Sequence, residues 1–229
     1  MSGPAPEPAP NRGAHGDPAP DDPAREAAPD SLDGVLDDIW RHLTAGAASA
    51  KHHFHLPTLC TVAADQTVQA RTVVLRGADR DTRHLMCHTD RRAAKAADIA
   101  RYPAATWCFW ARPLKLQVRV TSHAEVHVGD AVARRQWDTS SNSSRRCYLA
   151  PHPPGEPCDA PSPNLPEGVQ GRVPTEAEVA PGFDNFAVVR ARVLSLDALY
   201  LHHSGHRRAG FRWMGQADDG APVASWLQV

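Results

Sequence analysis

Arg71 and Arg76 bracket the apolar run Thr-Val-Val-Leu, a spacing that sets two cations at the ends of a short strand. Strand alternation puts them on opposite faces unless a bulge intervenes. One cation would hold a phosphate and the other a ring edge or a substrate, each charge-assisted bond contributing about 1.5–3 kcal/mol. Solvated charge on a sheet rim is the plain alternative. Further on, His88-Thr89-Asp90-Arg91-Arg92-Ala93-Ala94-Lys95 runs from a strand into a helix N-terminus that carries three cations and a hydroxyl. Helix N-termini offer unpaired N–H groups and partial positive charge, so clustered cations there are unfavourable without an anion such as a phosphomonoester. Capping by Thr89 or Asp90 would account for part of the pattern.

Two histidine groups, His52, His53 and His55 and then His202, His203 and His206, have no carboxylate or thiolate set at zinc spacing. They read as surface or interface histidines, and no metal site is expected. Cys60, Cys87, Cys108, Cys147 and Cys158 are odd in number and irregularly spaced, which fits reduced thiols.

These groups need a frame. Ser31 precedes Leu32, Val35, Leu36, Ile39, Trp40 and Leu43, an N-cap followed by i, i+3, i+4 spacing, which predicts an amphipathic helix. From Leu56 the period shortens: LPTLCTVAA, TVQARTVVLRG, HLMCHT, AATWCFW and LKLQVRVTSHAEVHV read as strands, interrupted by one helix in DRRAAKAADIARYP. Trp107 and Trp110 then point to opposite faces, one of them into the core. A further helix is expected over residues 130–137, a Pro-rich surface excursion over about 149–182, a strand in NFAVVRARVLSLDALYL, and a closing hairpin of FRWMGQ and ASWLQV around Asp218, Asp219 and Gly220. Many strands and few helices predict a mainly β protein, a barrel with flanking helices.

The composition of the 229 residues, 41% hydrophobic and 22% charged, suits one globular domain over residues 31–229. Residues 1–30, rich in Pro, Ala, Asp and Gly, should be a disordered tail. A net charge of -1 gives no surplus to recruit nucleic acid or an anionic membrane. No apolar run approaches ~20 residues and the N-terminus lacks a secretory build, so a cytoplasmic location is expected.

RTVVLR, CHTDRRAAK and FWARPLKLQVRV, in that order and spacing, resemble the flavin-binding strands of pyridoxamine 5'-phosphate oxidases, and SSNSSRR and HRRAGFRW add to the likeness. The resemblance implies an antiparallel six-stranded FMN-binding split barrel, and a homodimer with shared FMN sites. It further implies that Arg71, Val73, Val74, Leu75 and Arg76 line the FMN, largely through main-chain groups. His88 and Thr89 would lie against the flavin or its phosphate. Lys95, helped by Arg92, would neutralise that phosphate. Gln117 would bond the ring edge from the second subunit or a neighbouring strand, and Asn142, Ser143 and Tyr200 would complete the contacts. Arg76, Arg207 and Arg208 would stabilise charge on the reduced ring and hold a small-molecule substrate's own phosphate. SSNSSRR could equally be a flexible polar loop.

Two departures qualify the likeness. Ala94 and Gly210 stand where the oxidases carry arginines, and the segment between Asp130 and Ser144 is shorter than theirs, with no Tyr, Arg and Ser trio for a substrate phosphate. HRRAGF preceded by Tyr200 is closer to a divergent branch. The implied activity is hydride transfer from an amine or alcohol carbon to FMN, with O2 as oxidant. An FMN-dependent NAD(P)H-using reductase is the alternative, as is a non-catalytic flavin- or haem-binding protein, since some split-barrel relatives ligate haem with histidine clusters.

Overall fold

A computed structural model describes residues 28–214 and 220–229. Most of the expected tail, and the hairpin residues Asp218 and Asp219, lie outside these residues. Helix α1 (Leu32–Ala48) starts where the Ser31 side chain accepts the Gly34 N–H at 3.1 Å, and it turns Val35, Ile39, Trp40 and Leu43 into the core.

Nine strands among the described residues make one antiparallel sheet: β1 (Thr58–Val62), β2 (Val68–Thr72), β3 (Leu75–Asp79), β4 (His84–Asp90), β5 (Ala104–Ala111), β6 (Leu116–His127), β7 (Phe186–Tyr200), β8 (Arg207–Arg212) and β9 (Val223–Leu227). The order is β2-β1-β5-β6-β7-β4-β3, with β8 and β9 continuing from β7. The expected architecture is therefore present, but the strand number is nine, not six. One reason is that the run from Arg71 to Arg76 is not a single strand: β2 pairs with β1, and β3 with β4. Only Val73 and Val74 separate the two ends of the sheet path, so the sheet must curl until its ends meet without a ladder joining them, which makes a split barrel. The 15-residue β7 is its spine, with β4 along its first half, β8 along its second and β6 along both.

Alternation sorts side chains as expected. Trp107 is fully buried, its Nε1 donating to Ser122 Oγ at 3.2 Å, whereas Trp110 is 46% exposed. Helix α2 (Ala94–Arg101) follows β4, and α3 (Ala131–Asp138) is capped by Asp130, which accepts the Ala133 N–H at 2.9 Å. SSNSSRR forms the short α4 (Asn142–Arg145), not a flexible loop. The Pro-rich excursion contains α5 (Glu176–Val179) and returns to a second, smaller core of Trp137, Tyr148, Val179 and Phe186 on the outer face of β7. No described helix is long and apolar enough to cross a membrane.

Candidate functional site

The α2 N-terminus is the best-formed receptor for an anion. Its N-cap position is Ala93 and no side chain caps it, so its first N–H groups remain available. Lys95, in the first turn, donates from Nζ to Thr89 Oγ1 at 2.9 Å, its one recorded hydrogen bond among the described residues. Burial, and then the charge of Arg71, draw this ammonium below its usual range. Arg71 reaches in from β2 and donates from Nη1 to Thr61 Oγ1 at 2.7 Å and to the Leu59 carbonyl at 3.3 Å. Its Nη2 stands 3.8 Å from Asp98, which accepts the Thr61 hydroxyl at 2.9 Å. Cys87 lies beneath them; burial pushes its thiol up to about 12, so it serves as neutral packing. Thr61, Asp98 and Cys87 were missed in the sequence because nothing local marks them.

Arg92 does not join this group. Its guanidinium chelates Asp90, with Nε to Oδ1 at 2.9 Å and Nη2 to Oδ2 at 2.6 Å, and also donates to the Ala150 carbonyl at 2.8 Å. It therefore ties the β4–α2 turn to the start of the Pro-rich excursion. Asp90 is in turn too occupied with Arg92 to cap α2.

His88 projects from the face of β4 opposite to Thr89. Its Nε2 is 3.1 Å from Gln136 Oε1 and its ring meets Phe186 edge-on at 4.9 Å between centroids. Burial, against the opposing Gln136 bond, lowers its pKa to about 4 and keeps it neutral. Arg76 is exposed at an irregularity in the β3–β4 register, without a recorded hydrogen bond among the described residues, and its charge is felt at His88 and Tyr148. The Val73 and Leu75 side chains are buried in the core, so only their main chain could face a ring. Asn142 accepts a long 3.4 Å bond from Arg145, and Ser143 is exposed on α4.

Gln117, Tyr200, Arg207 and Arg208 are elsewhere in the protomer. The ladder Arg71–Leu59–Trp107–Val120 puts Arg71 on the inner face, and Gln117, three residues from Val120, on the outer one. Arg207 and Arg208 pair with Tyr200 and Leu199 at the end of β7, whereas β4 residues beside Arg76 pair with Val189 and Arg190. That is on the order of 30 Å along a strand, so one protomer does not assemble Arg76, Arg207 and Arg208 as a catalytic trio. Arg208 instead grips Asp197 at 2.7 and 3.0 Å, which Arg119 shares at 2.5 Å. Arg207 pairs with Asp30 and donates to the Ala28 carbonyl at 2.9 Å, fixing residues 28–30 over β8. The Tyr200 hydroxyl donates to Asp38 on α1 at 2.8 Å.

The residues around Lys95 fit a phosphate by donor chemistry: a partly buried ammonium with unused donors, a neighbouring guanidinium, a hydroxyl, and an uncapped helix end.

Comparison with known proteins agrees with this frame. Residues 37–128 match the family model described as pyridoxamine 5'-phosphate oxidase, FMN-binding domain. Pyridoxine/pyridoxamine 5'-phosphate oxidase 2 of Arabidopsis thaliana is 28% identical over 131 residues, 53% of this chain and 66% of that protein. The corresponding oxidase of Acaryochloris marina is 32% identical over 38% of this chain and 39% of its own length. The chain thus spans less than two thirds of the length of the curated relatives it matches. Among solved structures, a pyridoxamine 5'-phosphate oxidase-related, FMN-binding protein from Nostoc punctiforme superposes with a TM-score of 0.65 at 21% identity, covering 84% of this chain and 96% of that one. PhzG from Burkholderia lata, in complex with tetrahydrophenazine-1-carboxylic acid, gives 0.63 at 17% identity over 88% and 94%. The resemblance read from the sequence is shown over residues 37–128, and the fold over most of the chain.

Proposed function

From a chain similar over residues 37–128 to the FMN-binding domain of the pyridoxamine 5'-phosphate oxidase family, we propose an FMN-binding oxidoreductase acting on a small amine or alcohol. The observation that carries this reading is the uncapped α2 N-terminus with Lys95, Thr89 and Arg71 converging on it. Lys95 would contribute ammonium donors to the FMN phosphate, α2 its N–H groups, and Arg71 a second positive charge held in place by Thr61 and Asp98. The main chain at Val73 and Val74, between the two ends of the sheet, would flank the ring. Bound FMN would supply a hydride acceptor, with dioxygen as the final oxidant. Two copies would share each site, which brings Gln117 of one chain to the Arg71 cluster of the other.

Titration of the purified protein with FMN tests this. Arg71→Ala combined with Lys95→Ala should leave the far-UV dichroism intact and weaken FMN at least tenfold, about 1.4 kcal/mol. Unchanged affinity would remove the assignment. Anaerobic mixing then identifies the donor: bleaching of bound flavin by an amine or alcohol supports an oxidase, bleaching by NAD(P)H alone a reductase, and no bleaching by either a binding protein.

A further inference from the structure

Helix α1 and the turn from β7 to β8 line an open cavity of about 810 Å3. It lies at the end of β7, whereas Thr89 of the Lys95 cluster pairs with Ala187 at the beginning of that strand. No residue of the cluster lines it. Leu114, Leu116 and Leu201 supply apolar lining. Its wall carries one largely buried carboxylate, Asp38, with a side chain 13% exposed.

The surroundings of Asp38 are built in detail. Gly46 lets α1 approach the 3-10 turn His53–His55 so closely that a Cβ there would stand 2.8 Å from Phe54. That contact brings His52 Nε2 to within 3.2 Å of His42 Nδ1. The Phe54 backbone N–H donates to His52 Nδ1 at 3.1 Å, and a backbone N–H can only donate. Neutral His52 must then carry its proton on Nε2 and donate to His42. His42, accepting at Nδ1, then keeps its own proton on Nε2, which lies 3.4 Å from both Asp38 Oδ1 and Arg41 Nη2, with only the carboxylate able to accept it. Burial lowers the pKa of His52, in keeping with the neutral form. Arg41 also pairs with Oδ1, and Tyr200 donates to Oδ2.

A carboxylate offers about four acceptor positions. Arg41 takes one on Oδ1 and Tyr200 takes one on Oδ2, so a position remains on Oδ2, while His42 Nε2 stands 3.4 Å from Oδ1. The other formal charges lining the cavity are solvated and paired: Asp37 is 64% exposed and bonded to Arg80, Asp30 is 88% exposed and bonded to Arg207, itself 47% exposed, and Arg41, 53% exposed, is bonded to Asp38. Screening weakens their fields far more than that of a buried group.

We propose that this cavity binds small amines, an amino or ammonium group on an alkyl or aromatic body, with Asp38 Oδ2 accepting the N–H and the leucine lining covering the body. The proposal gives Tyr200 a positioning role here and does not depend on the flavin reading.

Calorimetric titration of the full chain at pH 7 with benzylamine, benzyl alcohol and benzoate tests it. Benzylamine should bind at least tenfold more tightly than the other two. Asp38→Asn should lose at least tenfold of that affinity. Ser204→Trp, which adds an indole to the cavity lining at the β7–β8 turn, should weaken binding at least tenfold. Arg71→Ala with Lys95→Ala should lose FMN yet keep benzylamine, so failure of one reading is distinct from failure of the other. In the wild-type protein, benzylamine should shift the 15N resonance of His42 Nε2. Equal affinity for the three probes, or full affinity in folded Asp38→Asn, overturns the proposal. Should that variant not fold, unchanged binding in Ser204→Trp or an unmoved His42 resonance at saturation overturns it equally.

Discussion

Burial sets the protonation state of His88. Its pKa falls from 6.5 to about 4 because it is buried against Phe186 and Gln136. Between those two values the unfolded chain binds a proton that the folded chain does not, so stability falls as pH drops through that window, and the loss levels off near pH 4. The full loss is up to about 3 kcal/mol. His52 is shifted in the same direction, so the measurement is a difference: urea unfolding of wild type and His88→Asn at pH 7 and pH 4.5, with the shallower dependence expected in the variant. Equal dependence in both would contradict the burial argument. The sequence made some residues legible and others not. Lys95 and Thr89 stand in one local pattern and were found together, as were the opposed faces of Trp107 and Trp110. From its charge alone Arg92 reads as available, whereas in the structure Asp90, two residues away, holds it. Asp38 and Tyr200 are 162 positions apart, and only the closure of the barrel brings them together.

At the scale of elements, α1 is readable because a cap and a hydrophobic period agree, and β6 because its burial alternates along most of its length, whereas β7 begins with four buried residues in a row and meets β6 across a register shift. The break at Val73 was not readable. Both halves of RTVVLR favour extended backbone, and what separates them is the choice of partner strand, β1 or β4, which is a tertiary fact. SSNSSRR was similarly ambiguous until Arg145 is seen in place. Its guanidinium is buried, donates to the Trp137 carbonyl at 2.8 Å and to Glu176 at 2.6 Å, and lies over the Trp137 ring. Arg145→Met removes both charge-assisted bonds and leaves the Trp137 carbonyl with the Ser140 N–H alone, a cost of about 1–3 kcal/mol. That loss should concentrate in the excursion pinned by α4 and α5, so limited proteolysis within residues 150–175 should accelerate about tenfold for each 1.4 kcal/mol of lost local stability. Cleavage at the wild-type rate would show that the excursion is anchored by its aromatic cluster alone.

For the whole molecule, the proposed function requires groups on opposite faces of one sheet to serve one ligand. Arg71 faces inward near the split, while Gln117 faces outward in a row that runs Trp110, Gln117, Leu199, Arg208 and Leu227 across β5 to β9. Trp110 is 46% and Leu227 39% exposed, with the partly buried Cys108 on the same outer face as Trp110. A large exposed aromatic side chain on a sheet face is a natural anchor for a second copy of the same surface. Under the proposed shared-site arrangement, Trp110→Asp replaces that anchor with a charge at an exposed position, so the fold should persist while the interface does not. Light scattering should then fall from about 50 kDa, twice the 24.8 kDa chain, to the mass of one chain. FMN affinity should fall at least tenfold in the same variant, about 1.4 kcal/mol, because the Arg71 cluster is intact but Gln117 of the second copy is gone. A wild-type protein that is monomeric with full FMN affinity would refute the arrangement. So would a monomeric Trp110→Asp that binds FMN as tightly as wild type, since either result means that one chain alone completes the site.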